Sequence, residues 1–263
     1  MTSKHIIEAT GLHKTFGSVT PAKDITVNID AQSVVGLIGT NGAGKTTFVN
    51  MLTGYIKPDR GEIVFRGKRI TGLAPRKITR LGIARSFQIP QLFGSQTARE
   101  NIEIALAISG LPAELANESL ARLGVLEFAD MISGTLPEGV RKLLDIALAM
   151  VCKPEVLLLD EPTSGVAAEE KFDVMNRVLD AARALGITVL FVEHDMEIVR
   201  RYSHRVLAFC DGRILADGTP DVVLADAQVR ELIIGETVAA APAAGHAGHA
   251  GHAGHTTAGV HHA

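Results

Sequence analysis

Residues 39–46 read GTNGAGKT, a full match to G-x-x-x-x-G-K-[ST]. No other stretch of the chain restricts its fold so tightly. The pattern functions only between a buried strand and a helix, because the helix start adds the positive end of its dipole to the loop. Both flanks comply. SVVGLIG, ending at Gly39, is the near-continuous apolar run of a strand buried on both faces. KTTFVNMLTG follows with helical spacing and reaches Gly54, a residue suited to closing a helix. Gly42 and Gly44 let the backbone curl so that successive amides converge on phosphate oxygens. Lys45 brings a point charge to the outer phosphates, and Thr46 offers a hydroxyl to Mg2+.

VLLLDEP (156–162) is the natural partner of that loop. An acidic residue at the C-terminal end of a central strand faces the crevice where such sheets bind ligands. Asp160 is suited to hold Mg2+ through water, and Glu161 to orient or deprotonate an attacking water. A guanine nucleotide would call for a base-reading Asn-Lys-x-Asp sequence, and no Asn-Lys pair occurs anywhere in the chain.

Around these motifs the chain alternates in kind. Residues 1–30 hold short segments of alternating polarity, HIIEATGL and DITVNID, which predict antiparallel strands. GEIVFRGKRI predicts another strand with a turn at Arg66-Gly67. Residues 97–134 are rich in Ala, Leu and Glu at helical spacing and predict a helical insert. From 141, RKLLDIALAMVC predicts a helix leading to VLLLD; EEKFDVMNRVLDAARALG predicts a helix before the strand TVLFVEH. RVLAFC and RILADG predict strands joined by a turn at Asp211-Gly212. Helices alternating with buried strands indicate a parallel sheet covered by helices.

Composition narrows the function classes. With 263 residues, 46% of them hydrophobic, the chain can bury a real core. The net charge of −3 gives no electrostatic footprint for nucleic acid. Cys152 and Cys210 are the only cysteines, which suits a reducing compartment. The opening MTSKHIIEATG lacks a signal-like apolar run, and no run approaches the roughly 18 apolar residues of a membrane span. A membrane role would therefore run through a partner. The C-terminal segment, with its Ala-Gly-His triplets, cannot build a core and predicts disorder. Its histidines, His246, His249, His252, His255, His261 and His262, form a composition able to bind a transition-metal ion; the plainer reading is a solvated tail.

Taken in order, GTNGAGKTT, RSFQIPQLF, LPEGVRKLLDIALAM, VLLLDEPTSGV and VEHDM resemble the ATPase subunit of an ATP-binding cassette (ABC) transporter. The resemblance spans residues 4–236. TGYIKPDRGEIVFRGKRITGL, EHDMEIV and DGRILADGTPD look like the branched-chain and polar amino acid uptake branch. It implies an α/β fold: a P-loop NTPase core with an antiparallel β subdomain, an inserted helical subdomain over 89–150, and a tail over 237–263. It implies ATP and Mg2+ as ligands. Gly39, Thr40, Asn41, Gly42, Ala43, Gly44, Lys45, Thr46 and Thr47 would cradle the phosphates. Thr46, Gln88 and Asp160 would serve Mg2+, and Glu161, His194 and Gln88 hydrolysis. Phe16 matches the aromatic that stacks on adenine, although spacing alone equally allows it a place in a turn or core. Residues 97–134 match the part that grips the membrane partner.

The resemblance further implies a peripheral subunit on the cytoplasmic face of the membrane. It would power uptake of branched-chain amino acids or a related small polar solute (an amide, urea or an organic acid). Its partners would be transmembrane permease subunits, a second cassette and, indirectly, a periplasmic or extracellular solute-binding protein. A nucleotide-binding regulatory cassette with little hydrolysis is the alternative.

Two segments depart from the family pattern. The signature there resembles Leu-Ser-Gly-Gly-Gln and caps the ATP of the other subunit; here it is Leu136-Pro137-Glu138-Gly139-Val140. Pro137 has neither hydroxyl nor N–H, and Glu138 adds negative charge. Thr135 to Glu138 fits S/T-x-x-E and predicts a capping box. Ala167 stands where a dimer-contact loop commonly carries Asp or Asn. Both departures fall on surfaces shown to the other subunit, which points to a heterodimer.

Overall fold

The computed structural model describes residues 5–235. The readings of residues 237–263 as disordered or metal-binding lie outside the described residues. β1 (His5–Phe16) and β2 (Val19–Asp30) form a long antiparallel hairpin. β3 (Val34–Gly39) follows, then the loop and α1 (Lys45–Leu52). β4 (Arg60–Phe65) and β5 (Lys68–Arg69) meet at the Arg66-Gly67 turn. A short helix, α2 (Pro75–Leu81), leads into β6 (Ile83–Ser86).

The insert begins with α3 (Ala98–Ile108), then α4 (Ala116–Arg122). Thr97 and Glu100 form a true capping box at the start of α3. α5 (Glu138–Met150) starts three residues earlier than its apolar spacing suggests. β7 (Val156–Asp160), α6 (Lys171–Ala184), β8 (Thr188–Val192) and α7 (Met196–Tyr202) follow, and β9 (Arg205–Cys210) and β10 (Arg213–Gly218) close the sheet.

Two sheets result. The antiparallel one has the order β2-β1-β4-β5, the other β10-β9-β3-β8-β7-β6. In the second, β9 with β10 is the antiparallel pair, and the remaining pairs are parallel. Alternation along β7 shows why its sequence is apolar throughout. Leu157 and Leu159 face a core shared with the insert helices, α5 and α6, while Val156 and Leu158 face a core shared with α1 and the antiparallel sheet. A strand buried on both faces has no polar side to display. Its chain reaches water only at Asp160, at the edge where the loop after β3 also emerges.

The predicted capping box at Thr135 does not form. Thr135 closes a 3-10 turn (Ser133–Thr135), its Oγ1 donating to the Ile132 carbonyl at 2.8 Å. Proline disfavours the helical region in the residue before it, and Leu136 is accordingly extended (φ −71°, ψ 149°). The helix can begin only after Pro137, which becomes the N-cap without any side-chain cap bond.

Candidate functional site

The loop after β3 folds into a cradle of about 220 Å³, lined by residues 41–47 together with Val19, Pro21, Glu161, Val192 and His194. Gly42 (φ +79°) and Gly44 (φ +109°) take left-handed backbone conformations. A Cβ on Gly44 would lie 2.2 Å from the Pro21 carbonyl oxygen, so the loop passes the β2 strand at a distance only glycine permits. Ala43 and Lys45 are buried, Thr40, Asn41, Gly42 and Thr46 are exposed, and Thr47 is half-buried. The Lys45 Nζ donates to the carbonyls of Gly39 (2.5 Å) and Thr40 (3.0 Å). Burial holds its pKa below the usual lysine value, against the opposing pull of Glu161 and Asp160. The ammonium is thus parked on the loop's own backbone, facing two carboxylates.

Glu161 stands at the centre. Its Oε2 accepts from Gln88 Nε2 at 2.7 Å, and its Oε1 lies 3.1 Å from His194 Nε2. The backbone is left-handed there (φ +49°), a conformation that costs a non-glycine residue about 1–2 kcal/mol. Its amide donates to the Val192 carbonyl at 3.0 Å, which ties this turn to the end of β8. His194 follows β8 by two residues, and Asp195 caps α7 by accepting from Glu197 N (3.1 Å) and Ile198 N (3.4 Å). Gln88 follows β6 by two residues. Three strand ends, of β6, β7 and β8, therefore bring three separated motifs onto one carboxylate.

Asp160 is placed differently. Its Oδ2 accepts from Arg85 Nη2 at 2.6 Å, and Arg85 Nη1 reaches Asn50 Oδ1 on α1 at 2.6 Å. The guanidinium lies 4.8 Å from the Phe87 ring centroid and 5.9 Å from that of Tyr55. Phe16 stands apart from the cradle lining. It is about half exposed (49%) at the end of β1, with Lys14 Nζ 5.2 Å from its ring centroid.

Buried polar residues outside the predicted site set support the site. Glu193 is 4% exposed and accepts from Thr163 N (3.0 Å), Thr163 Oγ1 (2.6 Å) and His194 N (3.1 Å). Asp145 on α5 accepts from Ser86 Oγ (2.7 Å), Phe87 N (3.3 Å) and Gln91 N (2.8 Å). Burial nonetheless raises its pKa above the usual aspartate value. Lys142, one turn away on α5, is buried too. The only sequence signal for these residues is ionic character at positions that helix or strand phase turns inward.

The start of α5 is crowded with negative charge. Glu138 is its first residue and pairs with Arg141 Nη1 at 3.2 Å. Glu170 Oε2 would lie 3.2 Å from a Cβ on Gly139. Leu136 is buried, and Val140 packs on the same core. Ala167 is exposed, its carbonyl accepting from the amides of Glu170 (2.9 Å) and Lys171 (3.2 Å).

Comparison with known proteins identifies the family. The ABC transporter family model matches residues 22–164. The chain is 35% identical over 253 residues to the high-affinity branched-chain amino acid transport ATP-binding protein BraF of Pseudomonas aeruginosa, covering 89% of this chain and 99% of the relative. It is 33% identical over 253 residues to LivG of Escherichia coli, a protein of the same description, with the same coverage. Among solved structures, the ADP conformation of an ATP-binding cassette of an ABC transporter superposes with a TM-score of 0.82 at 32% identity, covering 88% of this chain and 99% of that one. On the motif order, the two-sheet architecture and these matches, the chain belongs to the ABC transporter family.

Proposed function

We propose that this chain is the ATP-hydrolysing subunit of an importer for branched-chain amino acids or a related small polar solute. The observation that carries the chemistry is the Glu161 carboxylate held between Gln88 (2.7 Å) and His194 (3.1 Å) beside the cradle. The solute class rests on the relatives, which are named as branched-chain amino acid transport ATP-binding proteins.

In this reading residues 39–47 bind the phosphates through backbone amides, and Lys45 leaves its carbonyl perch to neutralise charge on the γ-phosphate. Glu161 orients the attacking water and takes its proton, with Gln88 and His194 fixing the carboxylate. Phe16 stacks on adenine from the end of β1. The oxygen donors of Thr46, Asp160 and Gln88 are of the hard type Mg2+ takes alongside phosphate and water. Bound there, the ion would supply charge neutralisation between the outer phosphates.

Residues 4–236 form the ATPase unit, with residues 89–150 as its helical part. Among the described residues no helix is long and apolar enough to cross a membrane. With relatives that are ATP-binding proteins of transport systems, the reading places the chain peripherally, on the cytoplasmic face, against transmembrane permease subunits. A cleft of about 700 Å³ between α2 and the end of α3, where Tyr55 and Ile108 are 56% and 77% exposed, suits a permease segment. A solute-binding protein acts on the far side of the membrane.

The second cassette is a different chain. Proline at the N-cap and carboxylates around the first turn of α5 suit this helix and repel a γ-phosphate arriving from across a dimer. A homodimer would carry that defect in both composite sites. A heterodimer confines it to the site built on the partner's phosphate loop. The test is Glu161→Gln in the assembled transporter: hydrolysis should fall at least 100-fold while ATP binding persists. Retained hydrolysis would refute the assignment.

The crowded start of α5 also favours a second reading, a regulatory cassette that binds nucleotide with little turnover. Single-turnover ATPase measurements with and without the second cassette separate the two.

A further inference from the structure

Lys142 is 1% exposed, and its ammonium is directed at backbone oxygens only. Nζ donates to the Gln88 carbonyl and lies 3.4 Å from the Glu161 carbonyl oxygen. The acidic groups that face it, Asp145, Glu138, Glu161 and Glu193, act at longer range, and burial outweighs them in lowering its pKa. Burying an ammonium carries a desolvation penalty that a methionine of similar volume would avoid. The fold alone gives no reason for the charge.

Its placement gives one. Gln88 and Glu161 meet through their side chains at 2.7 Å, and the same two residues are held through their backbones by one ammonium. Glu161 needs such a hold, because its left-handed backbone is an unfavourable one. Asp145 extends the clamp by binding Ser86, Phe87 and Gln91, so α5 grips both sides of Gln88. The same helix begins one turn before Lys142, at Glu138, on the surface assigned above to the partner's phosphate. A helix moves as a unit, so a displacement at its first turn reaches Lys142 directly.

We propose that Lys142 is a positioning residue that couples the partner-facing start of α5 to the Gln88–Glu161 pair and thereby sets the catalytic carboxylate. The proposal rests on the reading of Glu161 given above. Nucleotide affinity, which comes from the loop after β3, does not depend on Lys142, whereas turnover does.

The test is steady-state ATPase and ATP-binding measurement on the assembled transporter carrying Lys142→Met, Lys142→Arg or Glu161→Gln. Lys142→Met should lower kcat at least 20-fold with KM and ATP affinity changed less than twofold. Hydrogen exchange of residues 86–91 and 160–163 should quicken at least tenfold in this variant, with α1 unchanged. Lys142→Arg, which restores a charged donor, should recover most of kcat. A folded Lys142→Met protein with kcat within twofold of the parent overturns the proposal. So does a parallel loss of kcat and ATP affinity, or an arginine variant as impaired as the methionine one. Should Lys142→Met fail to assemble, Lys142→Gln is read instead: reduced kcat at constant KM supports the proposal, and parental kcat overturns it. Hydrolysis persisting in Glu161→Gln overturns the reading of Glu161 itself, independently of the Lys142 variants.

Discussion

Arg85 Nη2 lies 2.6 Å from Asp160 Oδ2, so the carboxylate at the end of β7 is already paired with a guanidinium. The two side chains are only 8% and 13% exposed. Removing one partner of a buried pair strands the other charge, which typically costs about 3–5 kcal/mol. Arg85→Met should therefore lower the unfolding free energy by about 3 kcal/mol in urea denaturation. Arg85→Lys should recover part of it, because an ammonium lacks the fork that also reaches Asn50. Equal stability of parent and Arg85→Met would show that the pair contributes nothing.

The two glycines of the cradle should respond differently to alanine. At Gly42 nothing lies within 4 Å of an added Cβ, so only the left-handed backbone is penalised, by about 1–2 kcal/mol. At Gly44 the same Cβ also meets the Pro21 carbonyl at 2.2 Å, and the loop must shift. Gly44→Ala should abolish measurable ATP binding, whereas Gly42→Ala should weaken it less. Isothermal titration of ATP into both variants gives the order.

Restoring the trans contact should help only one site. In an assembly whose own site is silenced by Glu161→Gln, residual hydrolysis belongs to the partner's loop. Pro137→Ser with Glu138→Gly returns a hydroxyl and removes a carboxylate. A hydrogen bond to a charged group contributes about 1.5–3 kcal/mol, so residual turnover should rise about ten- to a hundredfold. With Glu161 intact, the rate at the site using Lys45 should not change.

The capping box of α3 gives a pH-dependent test. The Thr97 backbone N–H first, and its hydroxyl second, hold the Glu100 carboxyl below its ordinary pKa of 4.5. A depressed acid stabilises the fold above its unfolded pKa and loses that contribution as pH falls through the folded value. Thr97→Ala keeps the backbone N–H but removes the hydroxyl's share of that hold together with the side-chain cap of α3, so it should destabilise the fold at neutral pH. The difference from the parent should shrink as pH falls below 4.5. Urea denaturation of parent and variant at pH 7 and pH 4 measures it.

Much of this molecule was legible in its sequence where local chemistry decides. GTNGAGKT, the apolar strands around it and the acidic end of VLLLD all take their expected places, because each pattern admits few alternatives. The capping box at Thr135 failed because a pairwise rule overrode it: Pro137 holds Leu136 extended before the helix can start. The short β6 and α2 carry too little periodicity to be read from IARS or PRKITRL. Lys142 and Asp145 were illegible for a different reason. In RKLLD the charges look like a solvent face, and their partners come from distant parts of the chain, residues 86–91 and, for Lys142, also the Glu161 carbonyl. Arg85 likewise finds Asp160 75 residues away.

The most direct measurement of the asymmetry is ATPase activity of this chain, reconstituted with its permease in nanodiscs, as a verified homodimer and as a pair with the second cassette. The expected result is turnover in the homodimer at least tenfold below that of the mixed pair, with ATP binding intact in both. Equal turnover in the verified homodimer would show that the Pro137–Glu138 segment completes a working site, and would contradict the division of labour proposed for the two composite sites.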